Sequence, residues 1–391
     1  MSNTKPAKTY TSQFWLLCVS SVLFFSSFSM IIPELPEFLT NLGGADYKGF
    51  IISLFTLTAM LSRPFSGKLT DLLGRKPVMI VGSLVCFVCS FLYPILTTVA
   101  GFFLLRLIHG FSTGFTPTGV AAYITDTIPA NKRGEAMGWI GTAGAVGMAG
   151  GPALGGAVAN NFGLEAMFYI SSFFALGAVA IMIRMAETLP QRKKVGWNVL
   201  KVVRNDVFEP SVVAPSLVML LTAYAYGAVF TLLPDFGAFV GIKNKGLLFT
   251  FLTVSSLLIR LLAGKASDRY GRVAVLRFSV PLMIVAMLTL GFATNIGMLI
   301  AGSILYGLAQ GSTSPTLLAW ATDLCDEQHR GRGIASFYIF MEFGIGLGAL
   351  ASSFIYANDS TRFFWAFVVC AALCGGAFLY LISQSKKVYE R

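Results

Sequence analysis

A chain of 391 residues, 55% of them hydrophobic and only 12% charged, falls well below the roughly 25% charge of an ordinary soluble domain, which excludes a water-soluble globular protein. The net charge of +11 does not indicate a nucleic-acid binder, because the excess of Lys and Arg is confined to particular connecting segments. No Asp, Glu, Lys or Arg occurs from 136 to 164, 210 to 234, 278 to 322 or 363 to 385, and a helix of about 20 mainly apolar residues crosses a bilayer.

In chain order, the apolar runs and the Gly, Pro and charge breaks between them predict twelve membrane-spanning helices at about 12–33, 47–66, 78–98, 101–123, 136–158, 164–185, 211–233, 246–264, 274–294, 298–320, 334–356 and 363–383. The runs lack the alternation of a membrane β-barrel, so the fold class is an all-α polytopic membrane protein. Lys5 and Lys8 precede the first run, but that run is long and has no convincing small-residue cleavage site, so it is read as a retained span rather than a signal peptide. With the amino terminus inside, the inner segments hold 22 Lys and Arg and the outer ones four, Lys48, Lys243, Lys245 and Arg362. The positive-inside rule then places both termini in the cytoplasm of a cell (inner or plasma) membrane protein. The Cys86 and Cys89 pair has no second ligand pair nearby, so buried packing is favoured over a metal or redox site.

The stretch "RPFSGKLTDLLGRK" from Arg63 recurs as "RLLAGKASDRYGRV" from Arg260, at an offset of 197 residues. The register pairs Gly67 with Gly264, Asp71 with Asp268, Gly74 with Gly271 and Arg75 with Arg272. It continues through Gly110 and Gly307, Asp126 and Asp323, Gly147 and Gly344, and Gly151 and Gly348. Two six-helix halves are expected, 1–186 and 211–391, joined by a basic linker, 187–210. Because six is even, both halves enter the membrane in the same sense and are related by an axis along its normal. A cavity between them, exposed to each side in turn as the halves rock, follows from that design.

The loop sequence "GKLTDLLGRK" at 67–76 with its second copy at 264–272, "RLIHG" at 106–110, and "GMAGGPALGG" at 147–156 together resemble the motifs of the major facilitator superfamily, in its twelve-span drug:proton antiporter branch. His109 stands where that family usually has Gln. In the loops, Gly67 and Gly74 permit a tight turn and close helix approach, Asp71 suits a helix amino terminus, and Arg75 can pair with Asp126, as Arg272 can with Asp323. The resemblance implies a latch that shuts the cytoplasmic side, with Asp71 reaching toward Arg332 and Asp268 toward the fifth span; topological anchoring by loop charge is the competing reading. Gly147, Gly151 and Gly155 form one smooth helix face and Pro152 invites a bend. Helix packing explains the glycines, whereas the whole motif with Pro152 and Gly156 is associated, by resemblance, with antiporters.

Ionisable residues within a membrane are costly and usually functional. Arg106 and His109 share a face of the fourth span, and both are expected to point into the cavity. Glu342 lies alone in the eleventh span, opposite Ala145 in the repeat register. A desolvated carboxylate can exchange a proton near neutral pH, so Glu342 is the candidate for proton coupling or for a cationic substrate, against a structural hydrogen bond or a wet position. Arg106 suits proton-transfer tuning or a substrate anion, or simple snorkelling. His109 can titrate or serve as a neutral hydrogen-bonding group. Glu34, Glu37 and Asp235 mark a possible outer vestibule, or interfacial solvation. Phe24, Phe25, Phe28, Tyr224, Tyr226, Phe230, Phe337, Tyr338 and Phe340 crowd spans that the resemblance puts in or beside the cavity, which suits amphipathic ligands, although many of the 34 Phe residues can face lipid. No Walker motif is present, and no nucleophile, metal cluster or acid pair indicates an enzyme. The expectation is a monomeric secondary transporter without cofactor, exporting a small amphipathic molecule against protons, the alternative being a facilitator or importer of a sugar, organic anion or other nutrient.

Overall fold

The computed structural model describes residues 10–129, 132–189, 208–325 and 330–389, so most of the 187–210 linker lies outside the described residues. Twelve long helices are present among them: α1 Ser12–Asn41, α2 Phe50–Leu73, α3 Arg75–Leu92, α4 Val99–Thr127, α5 Arg133–Phe162, α6 Leu164–Arg184, α7 Val213–Phe239, α8 Gly246–Tyr270, α9 Arg272–Gly291, α10 Ile296–Asp323, α11 Arg330–Tyr356 and α12 Phe363–Tyr389. In α1, Pro33 and Pro36 cannot donate to the helix ladder, and a 3-10 turn at Ile32–Glu34 interrupts it before Leu35–Asn41 continue. Several helices outrun their apolar stretches. α2 continues to Leu73 and α8 to Tyr270, so most of each repeated "loop" motif is helical, Gly67 and Gly264 included. The turn itself is made by Gly74 (φ 118°) and Gly271 (φ 91°), a conformation that a residue with a Cβ rarely adopts.

Ten of these helices are long and apolar enough by themselves to cross a membrane, and α8 joins them if its two bent segments count as one span. The glycine-rich α5 is the twelfth by packing, wedged between α1 and α8. Phe278, Phe162, Phe173 and Trp365 are mostly exposed on the outside of the bundle, where lipid contact removes the penalty that so much apolar surface would carry in water.

The packing repeats with the sequence. α1 lies on α5 and α6, α2 on α4, and α3 on α4 and α6; correspondingly α7 lies on α11 and α12, α8 on α10, and α9 on α10 and α12. Small residues set these approaches. A Cβ on Gly147, Gly151 or Gly155 of α5 would stand 2.2–2.7 Å from backbone oxygens of α1, and one on Gly348 of α11 would be 2.0 Å from the Tyr224 carbonyl of α7. The two halves meet chiefly where α2 crosses α11 and where α8 crosses α5, contacts that the same pseudo-twofold interchanges.

Candidate functional site

A cavity of about 570 Å³ lies between the halves, walled by α1, α2, α4 and α5 on one side and α7, α8, α10 and α11 on the other. It begins beneath Ile32 and Phe230 and runs toward the opposite end of the bundle, where Val120, Ala121 and Met137 line it. Phe24, Phe25, Phe28, Tyr226, Phe230 and Tyr338 line it as well, with Tyr226 stacked on Phe230 at 4.1 Å between ring centroids. Tyr224 and Phe337 are instead buried in the packing of the second half.

Glu342 lines this cavity and is not a lone carboxylate. Its Oε1 accepts from Arg63 Nη2 at 2.7 Å, joining α11 to α2 across the seam, and the Arg63 guanidinium lies 4.5 Å from the centre of the Tyr338 ring. Arg106 is fully buried at the cavity wall. Its Nε donates to the Ile51 carbonyl at 2.6 Å, its Nη1 donates to the Tyr93 hydroxyl, and the guanidinium stands over Phe55. His109 does not share this position, contrary to the expectation that both point into the cavity. Three residues along a helix leave about 60° between side chains, enough to turn the imidazole toward α3, where Nδ1 meets Tyr93 and Nε2 meets Cys86 Sγ. Phe28, Phe55 and Tyr93 enclose the ring. Its repeat mate is Tyr306, likewise fully buried. Arg260, the mate of Arg63, also lines the cavity; in the sequence it appears only as the start of the second copy of the repeat.

At the end where Ile32 and Phe230 close the cavity, ion pairs cross the seam. Lys48 donates to Asp235 at 2.5 Å, and Lys245 donates to Glu37 at 2.5 Å and to Glu34 at 3.4 Å. Glu34 is almost completely buried, which interfacial solvation does not describe. Burial works against the Lys245 charge, but Glu34 and Glu37 outweigh it and raise its pKa above the ordinary lysine value. Beside them the start of α8 seats on α5 around Pro152. Gly246 lies against the Pro152 carbonyl so closely that a Cβ has no room, Thr250 Oγ1 donates to Ala149 O, and Asn244 donates to Ala153 O. Gly156 approaches Asn244 and Glu34 in the same place.

At the opposite end each half is tied to itself. Arg75 donates to Asp126 at 2.8 Å and to Asp71 at 3.0 Å, and Arg272 donates to Asp323 at 2.8 Å and to Asp268. Asp71 and Asp268 are mostly exposed, and a Cβ on Gly67 or Gly264 would meet nothing within 4 Å. The amino terminus of α3 receives an anion, but not Asp71. Glu187 accepts from the backbone N–H groups of Arg75 and Lys76, as helix-end electrostatics favour. Arg332 bonds to Glu209, whose pKa is held below the usual carboxylate value by that bond and by the N–H and hydroxyl of Ser211. Glu187 and Glu209 border the linker far along the chain from their partners, so no local spacing marked them.

The profile of the Major Facilitator Superfamily matches residues 17–243 and again 216–390. The multi-drug resistance efflux pump PmrA of Streptococcus pneumoniae is 26% identical over 360 residues, 89% of this chain and 90% of its own length. The multidrug resistance protein MdtG of Escherichia fergusonii is 27% identical over 377 residues, 92% and 90% of the two chains. In fold, a D-xylose-proton symporter superposes with a TM-score of 0.79 at 16% identity, over 95% of this chain and 97% of that one. A bundle of two repeated six-helix halves around a central cavity, with the same profile matching each half, has one reading: this chain is a transporter of the Major Facilitator Superfamily.

Proposed function

We propose that the protein exports a small amphipathic, drug-like molecule in exchange for protons, by rocking its two halves about the central cavity. The observation that carries this reading is the Arg63–Glu342 pair, whose carboxylate is on the cavity wall and whose bond crosses the α2–α11 seam. A proton delivered to Glu342 removes the carboxylate charge that holds Arg63, so protonation weakens a contact between halves at the place where substrate binds. Coupling requires such a shared element, because an ion or substrate moves an equilibrium only by its differential affinity for the two states. The names of PmrA and MdtG, both multidrug resistance proteins, and the span-5 motif support export of amphipathic cargo.

With the termini inside, as the charge asymmetry argues, the cavity opens to the cytoplasm here and the Lys48 and Lys245 pairs close the outer end. Asp71 and Asp268 are then the groups that reach across when the cytoplasmic end shuts, with Arg75, Asp126, Arg272 and Asp323 holding the turns that carry them. Arg106 braces α4 against α2 at the cavity wall, and His109 meets the same Tyr93 hydroxyl from within the core. The test is transport by the purified protein in proteoliposomes under an imposed pH gradient. Wild type should accumulate substrate against its gradient and Glu342→Gln should support only downhill flux. Transport indifferent to the pH gradient defeats the coupling, and a Glu342→Gln protein with unchanged, pH-independent flux identifies a facilitator.

A further inference from the structure

We infer that Arg260 is a subsite for an anionic group of the substrate, so that the cargo is an amphipathic anion or zwitterion whose apolar part lies against the aromatic wall. This deepens the transport reading above and rests on it for the cavity's being the substrate site. The argument is one of charge balance. Arg63, Arg106 and Arg260 stand at or beside the cavity, whereas the single carboxylate among the described residues that line it is Glu342, and Arg63 holds that one. Pseudo-symmetry explains the imbalance. Arg63 of α2 bonds Glu342 of α11, while its mate Arg260 lies on α8, the helix that packs on α5, where the position equivalent to Glu342 is Ala145. Ala145 lines the cavity too, so the repeat leaves an open space where the first copy has a counter-ion.

Arg260 is accessible within the cavity, and the hydroxyl-bearing Tyr226 and Tyr338 lie close enough to interact with it electrostatically. Both are cavity-lining, and Tyr338 also stacks under Arg63. Arg106 adds to the charge imbalance of the cavity wall without being reachable itself: it is fully buried, its Nε and Nη1 use neutral acceptors, and its Nη2 has no hydrogen-bond partner. A guanidinium inside the membrane bundle is stabilised by an anion more than by water, and its planar fork suits a carboxylate, sulfonate or phosphate. The tyrosine hydroxyls donate to the same acceptor, and the stacked Tyr226 and Phe230 offer the adjoining apolar surface.

The test is equilibrium binding to the full-length protein, purified in detergent, of three probes of one shape: 2-naphthoate, 2-naphthamide and 2-naphthylmethylammonium. Wild type should bind the carboxylate about tenfold more tightly than the amide, as one charge-assisted hydrogen-bonded pair provides, and the ammonium most weakly. Arg260→Gln should bind carboxylate and amide alike, with amide affinity kept within about twofold of wild type, and Arg260→Lys should restore part of the preference. A wild type that ranks amide or ammonium with the carboxylate overturns the inference, whether or not the variants fold. So does an Arg260→Gln protein that keeps the preference. Absence of binding by all three probes rejects the amphipathic-cavity reading together with this one, whereas a carboxylate preference without pH-driven flux rejects only the proton coupling.

Discussion

Lys48 of the first half donates to Asp235 of the second, and the same contact is made in reverse by their repeat mates, Lys245 of the second half to Glu37 of the first. Asp235 follows Glu37 by 198 residues and Lys245 follows Lys48 by 197, so both pairs are made by equivalent positions of the repeat. Neither pair exists within a single half. Each therefore stabilises only conformations in which this end is closed. Loss of one lysine leaves the other pair across the seam, so one substitution leaves the closed end favoured. Lys48→Gln combined with Lys245→Gln removes both pairs and strands Asp235 and Glu34, so it should shift the balance toward opening by at least about 1–2 kcal/mol, roughly 5- to 30-fold. A cysteine introduced at Thr253, which lies under the closed end, should then react faster with a membrane-impermeant thiol reagent applied from outside. Equal labelling rates in the single and double variants and in the parent would show that these pairs do not hold the gate.

The Arg63–Glu342 contact predicts non-additive stabilities. Both side chains are largely buried, with 16% and 8% of the side chain exposed, and Arg63 Nε has no partner of its own. Removing one member of a buried pair strands the other charge, at a cost of about 3–5 kcal/mol, while replacing both with apolar groups is often neutral. Arg63→Met and Glu342→Met should each lower the melting temperature in detergent substantially, and the double variant should recover most of the loss. Additive losses would mean that the two residues act independently.

The contrast between these two sets of pairs shows what a linear reading can reach. Twelve helices, the 197-residue repeat and the small-residue faces of α5 and α11 are periodic or local signals, and apolar runs with glycine at fourfold spacing carry them. Partners such as Arg63 and Glu342, 279 residues apart, or Glu187 on the amino terminus of α3, are set by how helices meet in space. His109 went astray for a different reason. Sharing a helix face to within one turn is too coarse to say whether a side chain enters a cavity or the layer of α3 behind it. The repeat register alone pairs Arg260 with Arg63 and Ala145 with Glu342; only the bond between Arg63 and Glu342 shows that the second copy lacks its counter-ion.

Glycines divide into two kinds, and alanine substitution should separate them. At Gly348 an added Cβ would meet the Tyr224 carbonyl at 2.0 Å and at Gly151 it would meet Ser29 Oγ at 2.3 Å and Ser26 O at 2.7 Å. Backbone cannot step aside, so Gly348→Ala should destabilise by about 1–3 kcal/mol or more. Gly67 and Gly264 are helical and have open space around them, so alanine there should leave stability equal or raise it by up to about 1 kcal/mol from helix propensity. If these positions close against the opposite half when the cytoplasmic end shuts, the same two variants should lose transport while melting normally. Thermal unfolding and flux measured on the same preparations check both statements. Unimpaired flux in Gly67→Ala and Gly264→Ala would remove the glycines from the latch.

The charged groups outside the membrane spans set a pH window in which the scaffold should be silent. Glu209 has a depressed pKa, held down first by Arg332. Its contribution is therefore complete above the unfolded glutamate value of about 4.3 and is lost as pH falls through the lower folded value. Lys245 has a raised pKa, with burial opposing and Glu34 and Glu37 favouring the charge. Its contribution is complete below the unfolded lysine value of about 10.4 and is lost as pH rises through the higher folded value. Between those limits neither group changes protonation. Glu209→Gln should thus lower the melting temperature near neutral pH by an amount that shrinks only in strong acid, and Lys245→Gln should alter the gate without displacing the pH profile of transport around neutrality. A pH profile that moves in Lys245→Gln would place proton sensing at the outer gate instead of at Glu342. Measuring flux against pH for wild type, Lys245→Gln and Glu342→Gln in one set of proteoliposomes decides between the two positions.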